Sequence, residues 1–184
     1  MNDEETLGLV RHIGDYHYRA YIGPPGEYDL VSATSFGLLT GCGLRQHHKL
    51  LDIGCDSLRL GRLLIPYLNA ENHIGLEPNN WLIDDGIHNE VGASLVGKRS
   101  PTFVIAERME SLASDLQFDY AIAQSIFSHT VPDLLERWIQ DVSFRLSEQG
   151  VLLATVLEGE VECECESNGW IYPECVEYLI ETMA

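Results

Sequence analysis

Residues 50–55, Leu-Leu-Asp-Ile-Gly-Cys, constrain the fold of this chain more than any other segment. A mostly apolar run that stops at a glycine reads as a strand covered on both faces and ending in a tight turn. The continuation Asp56-Ser57-Leu58-Arg59-Leu60-Gly61-Arg62 opens a helix. A second strand, His73-Ile74-Gly75-Leu76, ends on Glu77-Pro78, so the carboxylate of Asp52 at one strand end is answered by that of Glu77 at the next. Strand, turn, helix and strand over this length make a right-handed crossover between parallel strands.

The alternation persists along the chain. Strands are expected at 49–54, 72–77, 102–106, 118–124 and 150–157. One helix is expected from about Asp29 to Leu39, stopped by Gly41 and Gly43. Leu60, Leu63, Leu64, Tyr67 and Leu68 form a second helical stripe, which Pro66 kinks or ends. Leu135, Trp138, Ile139, Val142 and Leu146 form a third, with Pro132 near its start and Gly150 past its end. The fold class is α/β: a doubly wound, mostly parallel sheet. A single domain over 1–184 is expected. It comprises an N-terminal arm and helix (1–45), a cofactor-binding core (46–160) and a C-terminal loop and helix (161–184).

Composition narrows the function. The net charge of −18, with Lys49 and Lys98 as the only lysines, repels phosphate backbones and favours neutral or cationic ligands. Nucleic acid is therefore not an expected partner. No apolar run reaches the roughly 18 residues of a membrane span, and the first residues are acidic where a signal peptide is basic. A cytoplasmic protein without membrane contact is expected. Five cysteines, an odd number without a framework, fit reduced thiols.

Asp52, Gly54 and Glu77 stand where a doubly wound sheet holds a nucleoside cofactor. Gly54 permits a sharp turn, Asp52 can orient that turn or accept from a ligand amino group, and Glu77 can accept both ribose hydroxyls. Any one of these alone is ordinary turn chemistry; the combination and its spacing point to a site. A dinucleotide fingerprint needs three glycines, and here the positions are Gly54, Asp56 and Arg59. An aspartate facing a pyrophosphate is repulsive, whereas beside a sulfonium or amino group it is attractive. This disfavours NAD and favours S-adenosylmethionine.

Residues 50–55 and Ile-Gly-Leu-Glu-Pro-Asn at 74–79 resemble motifs I and II of the Rossmann-like (class I) S-adenosylmethionine-dependent methyltransferases. Residues 118–129 resemble the fourth-strand motif of that family, and 150–155 its fifth strand. The wording of residues 21–28, 57–68, 124–130 and 169–175 is similar to a bacterial subgroup of small methyltransferase-domain proteins. The likeness covers roughly 16–180. It implies a cofactor set of Asp52, Gly54, Cys55, Asp56, Glu77, Pro78 and Gln124. The 54–56 loop would cradle the methionine part, Glu77 the ribose, and Gln124 the mouth of the methyl donor. Two departures stand out. Asp56 replaces the glycine usual in the family, close to the cofactor carboxylate. The stretch after Leu157, positions 158–184, has room for a loop and a helix near Tyr172–Met183 but not for the family's C-terminal hairpin.

His129, after the fourth strand, is the candidate base for an oxygen or nitrogen acceptor. Tyr16, Tyr18, Tyr21 and Tyr28 are candidates for a lid, and simple packing explains them equally well. Arg59 and Arg62, one helical turn apart, are expected to pair with acids. Cys163, Cys165 and Cys175 lack the fourth ligand of a closed zinc site, so no metal is expected. Methyl transfer to a small molecule is the function expected. The alternative is a catalytically inactive or reduced cofactor-binding module acting in a complex. The apolar fifth strand calls for cover, either from a second copy of the chain or from a helix carrying Val176, Leu179 and Ile180.

Overall fold

The structure is a computed structural model that describes residues 7–156. A single 3-10 turn, Pro25–Glu27, leads into α1 (Tyr28–Gly41). The alternation then runs β1 (Leu50–Ile53), α2 (Gly61–Tyr67), β2 (His73–Leu76), α3 (Asn80–Gly86), a π-helical turn (Ile87–Val91), α4 (Ala93–Arg99) and β3 (Thr102–Val104). After β4 (Phe118–Ala123) come α5 (Pro132–Arg145) and β5 (Leu146–Ala154). The sheet order is β3-β2-β1-β4-β5, and every neighbouring pair is parallel.

Period-two alternation in β1 divides its side chains between two layers. Leu51 and Ile53 join Ile74, Leu76, Ala121 and Ala123 beneath Trp138 and Val142 of α5. On the other face Leu50, Tyr120 and Ile122 pack against Leu60, Leu64 and Leu68, with Leu39 of α1. Each fully buried leucine contributes about 1.5–3 kcal/mol by leaving water. The α2 stripe therefore lies as the sequence predicts, although Leu63 and Tyr67 are only half-buried. Pro66 sits inside the last turn of α2, which ends at Tyr67.

The third stripe needs correction. α5 stops at Arg145, Ile139 on it is exposed, and Leu146 begins β5. Leu146 closes the helix with its N–H on the Val142 carbonyl while its own backbone is already extended. Phe118 pairs with Leu146 and Tyr120 with Val151, so β5 bulges out between them. Gly150 permits that bulge, since a Cβ there would lie 2.8 Å from the Leu146 Cβ. The proposed C-terminal helix, the question of a hairpin, and the Cys163, Cys165 and Cys175 cluster lie outside the described residues. Among the described residues no helix is long and apolar enough to cross a membrane, and no group of acids, histidines and cysteines is arranged to hold a metal.

Candidate functional site

β1 ends in a turn fastened to its neighbour, with the Gly54 and Cys55 N–H groups donating to the Leu76 carbonyl at 2.8 and 3.2 Å. Gly54 has φ +64°, and a Cβ there would lie 2.2 Å from Ile126 Cδ1. Packing beneath Ile126, as well as the turn itself, demands the glycine. Asp56 and Leu58 follow at φ +51° and +58°. Non-glycine residues in this region cost about 1–3 kcal/mol each and gather where a loop serves a ligand.

Glu77, 3% exposed, sits on the tip of β2. Its Oε1 accepts from the Asn79 N–H (2.8 Å) and Asn79 Nδ2 (2.9 Å), while Oε2 accepts from the Asp56 N–H at 3.3 Å. One carboxylate thus links the tips of β1 and β2. Burial pushes the Glu77 carboxyl up, opposed by the Asn79 and Asp56 hydrogen bonds. Asp56 is also held above the ordinary carboxylate range, chiefly by burial, against the pull of Arg59. Pro78, beside Glu77, is exposed.

Asp52 points inward. The period-two alternation places it on the α2 face, where its Oδ2 lies 3.3 Å from Nε2 of His73 on β2. Its negative charge nevertheless adds to the upward push on Asp56 and Glu77. Cys55 likewise belongs to the interior. Burial raises its thiol well above the usual range, and its Sγ lies against Gly75. Both side chains turn into the interior, and Cys55 presents its backbone at the turn.

Gln124 follows β4 and reaches back across the sheet end. Its Oε1 accepts from Arg59 Nη2 at 2.6 Å, and the same nitrogen lies 3.5 Å from Asp56 Oδ2. Arg62 pairs with Asp29 at 2.7 Å and Glu90 at 3.4 Å, so both arginines meet acids as expected. His129 lies on the 3-10 turn Phe127–His129, its N–H donating to the Ile126 carbonyl at 3.0 Å.

The tyrosines divide into two groups. Tyr16, 78% exposed, stacks on Trp81 at 4.4 Å, and Tyr21 meets the same ring edge-on at 5.1 Å. Trp81 lies in the first turn of α3, shortly after Glu77, and the sequence reading missed it. Tyr28 is 1% exposed and its hydroxyl donates to the Ser57 carbonyl at 3.1 Å, so it supports the turn from below and forms no lid. Tyr18 goes inward as well, donating to Glu90 Oε1 at 2.9 Å. Glu90 also takes Arg19 Nε at 3.0 Å and Arg19 Nη2, and the Arg19 guanidinium lies 4.3 Å from the Tyr28 ring centre. Ion pairs between such distant parts of a chain have no periodic signature, so nothing in the sequence indicated this anchor.

No protein-family model matches the chain. Solved structures do match in shape. Coclaurine N-methyltransferase aligns with TM-score 0.54 and 16% identity, over 66% of this chain and 34% of that one. A methyltransferase from Clostridium acetobutylicum gives 0.53 and 16%, over 81% and 53%. Precorrin-6y C5,15-methyltransferase from Geobacter metallireducens gives 0.51 and 23%, over 68% and 60%. The fold is that of the class I methyltransferases. The chain spans between a third and three fifths of the length of these proteins. In this methyltransferase fold the strand order reverses between β1 and β4, the place where open α/β sheets take their ligands. Asp56, Arg59 and Gln124 bridge that crevice.

Proposed function

We propose that the chain binds S-adenosylmethionine across the carboxyl ends of β1, β2 and β4 and passes its methyl group to a small-molecule acceptor. The observation that carries this reading is Glu77: a buried carboxylate at the second strand tip, bonded to the turn of the first. Carboxylate oxygens only accept, which suits a ribose diol and repels a phosphate. Two structural neighbours, coclaurine N-methyltransferase and magnesium protoporphyrin IX methyltransferase from Synechocystis, were solved with S-adenosylhomocysteine, which supports the choice of cofactor.

The donor set fits that group. Glu77 is a buried acid and Asp56 a half-buried one, both held above their ordinary range, and both gain from a nearby cation. When bound, the cofactor supplies an electrophilic methyl on a sulfonium. Glu77 would hold the ribose hydroxyls, with the Gly54–Asp56 turn alongside the methionine part and Gln124 at the mouth. Tyr16 and Tyr21, stacked about Trp81 close to the β2 tip, would cover that side and exclude water. His129 would take the proton of a hydroxyl or amine acceptor. The net charge of −18 supports a neutral or cationic acceptor.

Calorimetry of the full chain with S-adenosylhomocysteine tests the reading. Saturable binding that Glu77→Ala weakens is expected. A properly melting chain with no affinity for S-adenosylmethionine or S-adenosylhomocysteine would overturn it.

A further inference from the structure

Arg59 is a buried cation whose ion pair is loose. Its side chain is 7% exposed, yet its one close partner is the neutral Gln124 amide at 2.6 Å. The nearest carboxylate oxygen, Asp56 Oδ2, lies at 3.5 Å, too far for a good charge-assisted bond. Among the described residues the guanidinium makes no other hydrogen bond, which leaves Nε and Nη1 of its five-donor fork unused. Asp56 mirrors this situation, its carboxyl meeting only that long contact. Arg62, one turn on, shows the contrast, since it has a carboxylate at 2.7 Å.

The pair stands at the end of β1, Arg59 reaches across the crevice to Gln124 at the end of β4, and Arg59 Nη1 lies beneath Gly23 of the N-terminal arm. A loosely closed ion pair at a ligand mouth offers each charge to an incoming counter-charge. Resting on the cofactor reading above, we infer that Arg59 and Asp56 together read the zwitterionic amino-acid end of the cofactor: the guanidinium takes the carboxylate and the aspartate faces the ammonium. Asp56, the departure from the family's glycine, is then half of a recognition device, and Arg59 is its specificity-determining partner. The chain accordingly demands an intact α-amino acid on its nucleoside ligand.

Three probes separate the possibilities in calorimetry with the full chain. S-adenosylhomocysteine has both charges, S-adenosyl-3-thiopropylamine lacks the carboxylate, and 5′-methylthioadenosine lacks both. Charge-assisted hydrogen bonds predict about 10- to 100-fold tighter binding of the first over the second. Arg59→Gln is expected to remove that preference while leaving the amine analogue within about twofold. Asp56→Asn is expected to shrink the gap between the amine analogue and 5′-methylthioadenosine. Should Arg59→Gln not fold, Arg59→Lys, which keeps the charge but loses the fork, is expected to retain only part of the preference. Equal wild-type affinity for all three nucleosides overturns this inference alone, as does an Arg59→Gln variant that weakens all three alike. A chain that binds none of them overturns the cofactor reading and this inference together.

Discussion

The molecule holds two clusters of largely buried charge, and they are built differently. In the arm anchor, Glu90 is met by Arg19, Tyr18 and Arg62, with Asp29 taking the other side of Arg62 at 2.7 Å. At the strand tips, among the described residues, the Asp56 carboxyl meets only Arg59 at 3.5 Å and Glu77 accepts only from neutral amides, those of Asn79 at 2.8 and 2.9 Å and of Asp56 at 3.3 Å, and burial holds both carboxyls up. The anchor is satisfied from within the chain. The tips carry charge that the chain leaves under-compensated, at the sheet end where the strand order reverses. On the cofactor reading proposed above, the difference separates a cluster that holds the structure together from one organised to receive a ligand.

Glu90→Ala gives the largest expected effect. Removing the shared acceptor leaves the buried Arg19 with only the 3.5 Å ion pair to Asp29, and breaking a buried pair costs about 3–5 kcal/mol. Urea denaturation followed by circular dichroism reads this loss directly. A loss below about 1 kcal/mol would erase the distinction between the two clusters. Next comes Glu77→Ala, expected to weaken S-adenosylhomocysteine binding by about 1.5–3 kcal/mol, the range for hydrogen bonds to a charged group. Its cost in stability should be the smaller of the two, and unchanged affinity in a normally melting variant would remove the ribose assignment.

Asp56→Gly is expected to act in opposite directions on two measurements. Relief of the left-handed backbone stabilises the fold by about 1–2 kcal/mol, while affinity for S-adenosylhomocysteine falls. Tighter binding would mean that the aspartate is a handicap and not a recognition group. The smallest expected effect lies in pH dependence. Asp56 and Glu77 have folded-state values raised above their unfolded ones, so the stability they confer is fully present below the ordinary carboxylate range. It declines as pH rises from there through their raised values. Melting temperatures across that window should fall less in Asp56→Asn than in the parent chain. A cationic ligand favours the ionised acids, so its binding should release protons, seen as a buffer-dependent enthalpy.

The sequence made the first four strands legible almost to their ends, because short apolar runs bounded by turns and spaced by crossovers admit one arrangement. β5 was harder: Leu146 satisfies both the helical period of α5 and the alternation of a strand, and only the pairing with Phe118 decides. The place of Glu77 at the tip of β2 was legible from its position after Leu76, and the inward direction of Asp52 less so, since an acid at a strand end reads the same whether it faces outward or a buried histidine. Tyr28 illustrates the same limit, a helix-opening tyrosine being equally suited to lid or core. Arg59 was visible only as a charge one turn from another, and its position across from Gln124 depends on β1 and β4 lying side by side although far apart in the chain.

That adjacency also sets a timetable. β1 is the middle strand, paired along one edge to β2, the next strand in the chain, and along the other to β4, which follows only after β3. As the chain leaves a ribosome, β1, β2 and β3 can zip together once Val104 has emerged, leaving the far edge of β1 bare. That edge is apolar and stays open until Ala123 appears, a window in which another nascent chain can pair with it. Slow translation between β3 and β4 would lengthen the exposure; a chaperone that recognises short apolar strands would find its best target in Leu50–Ile53.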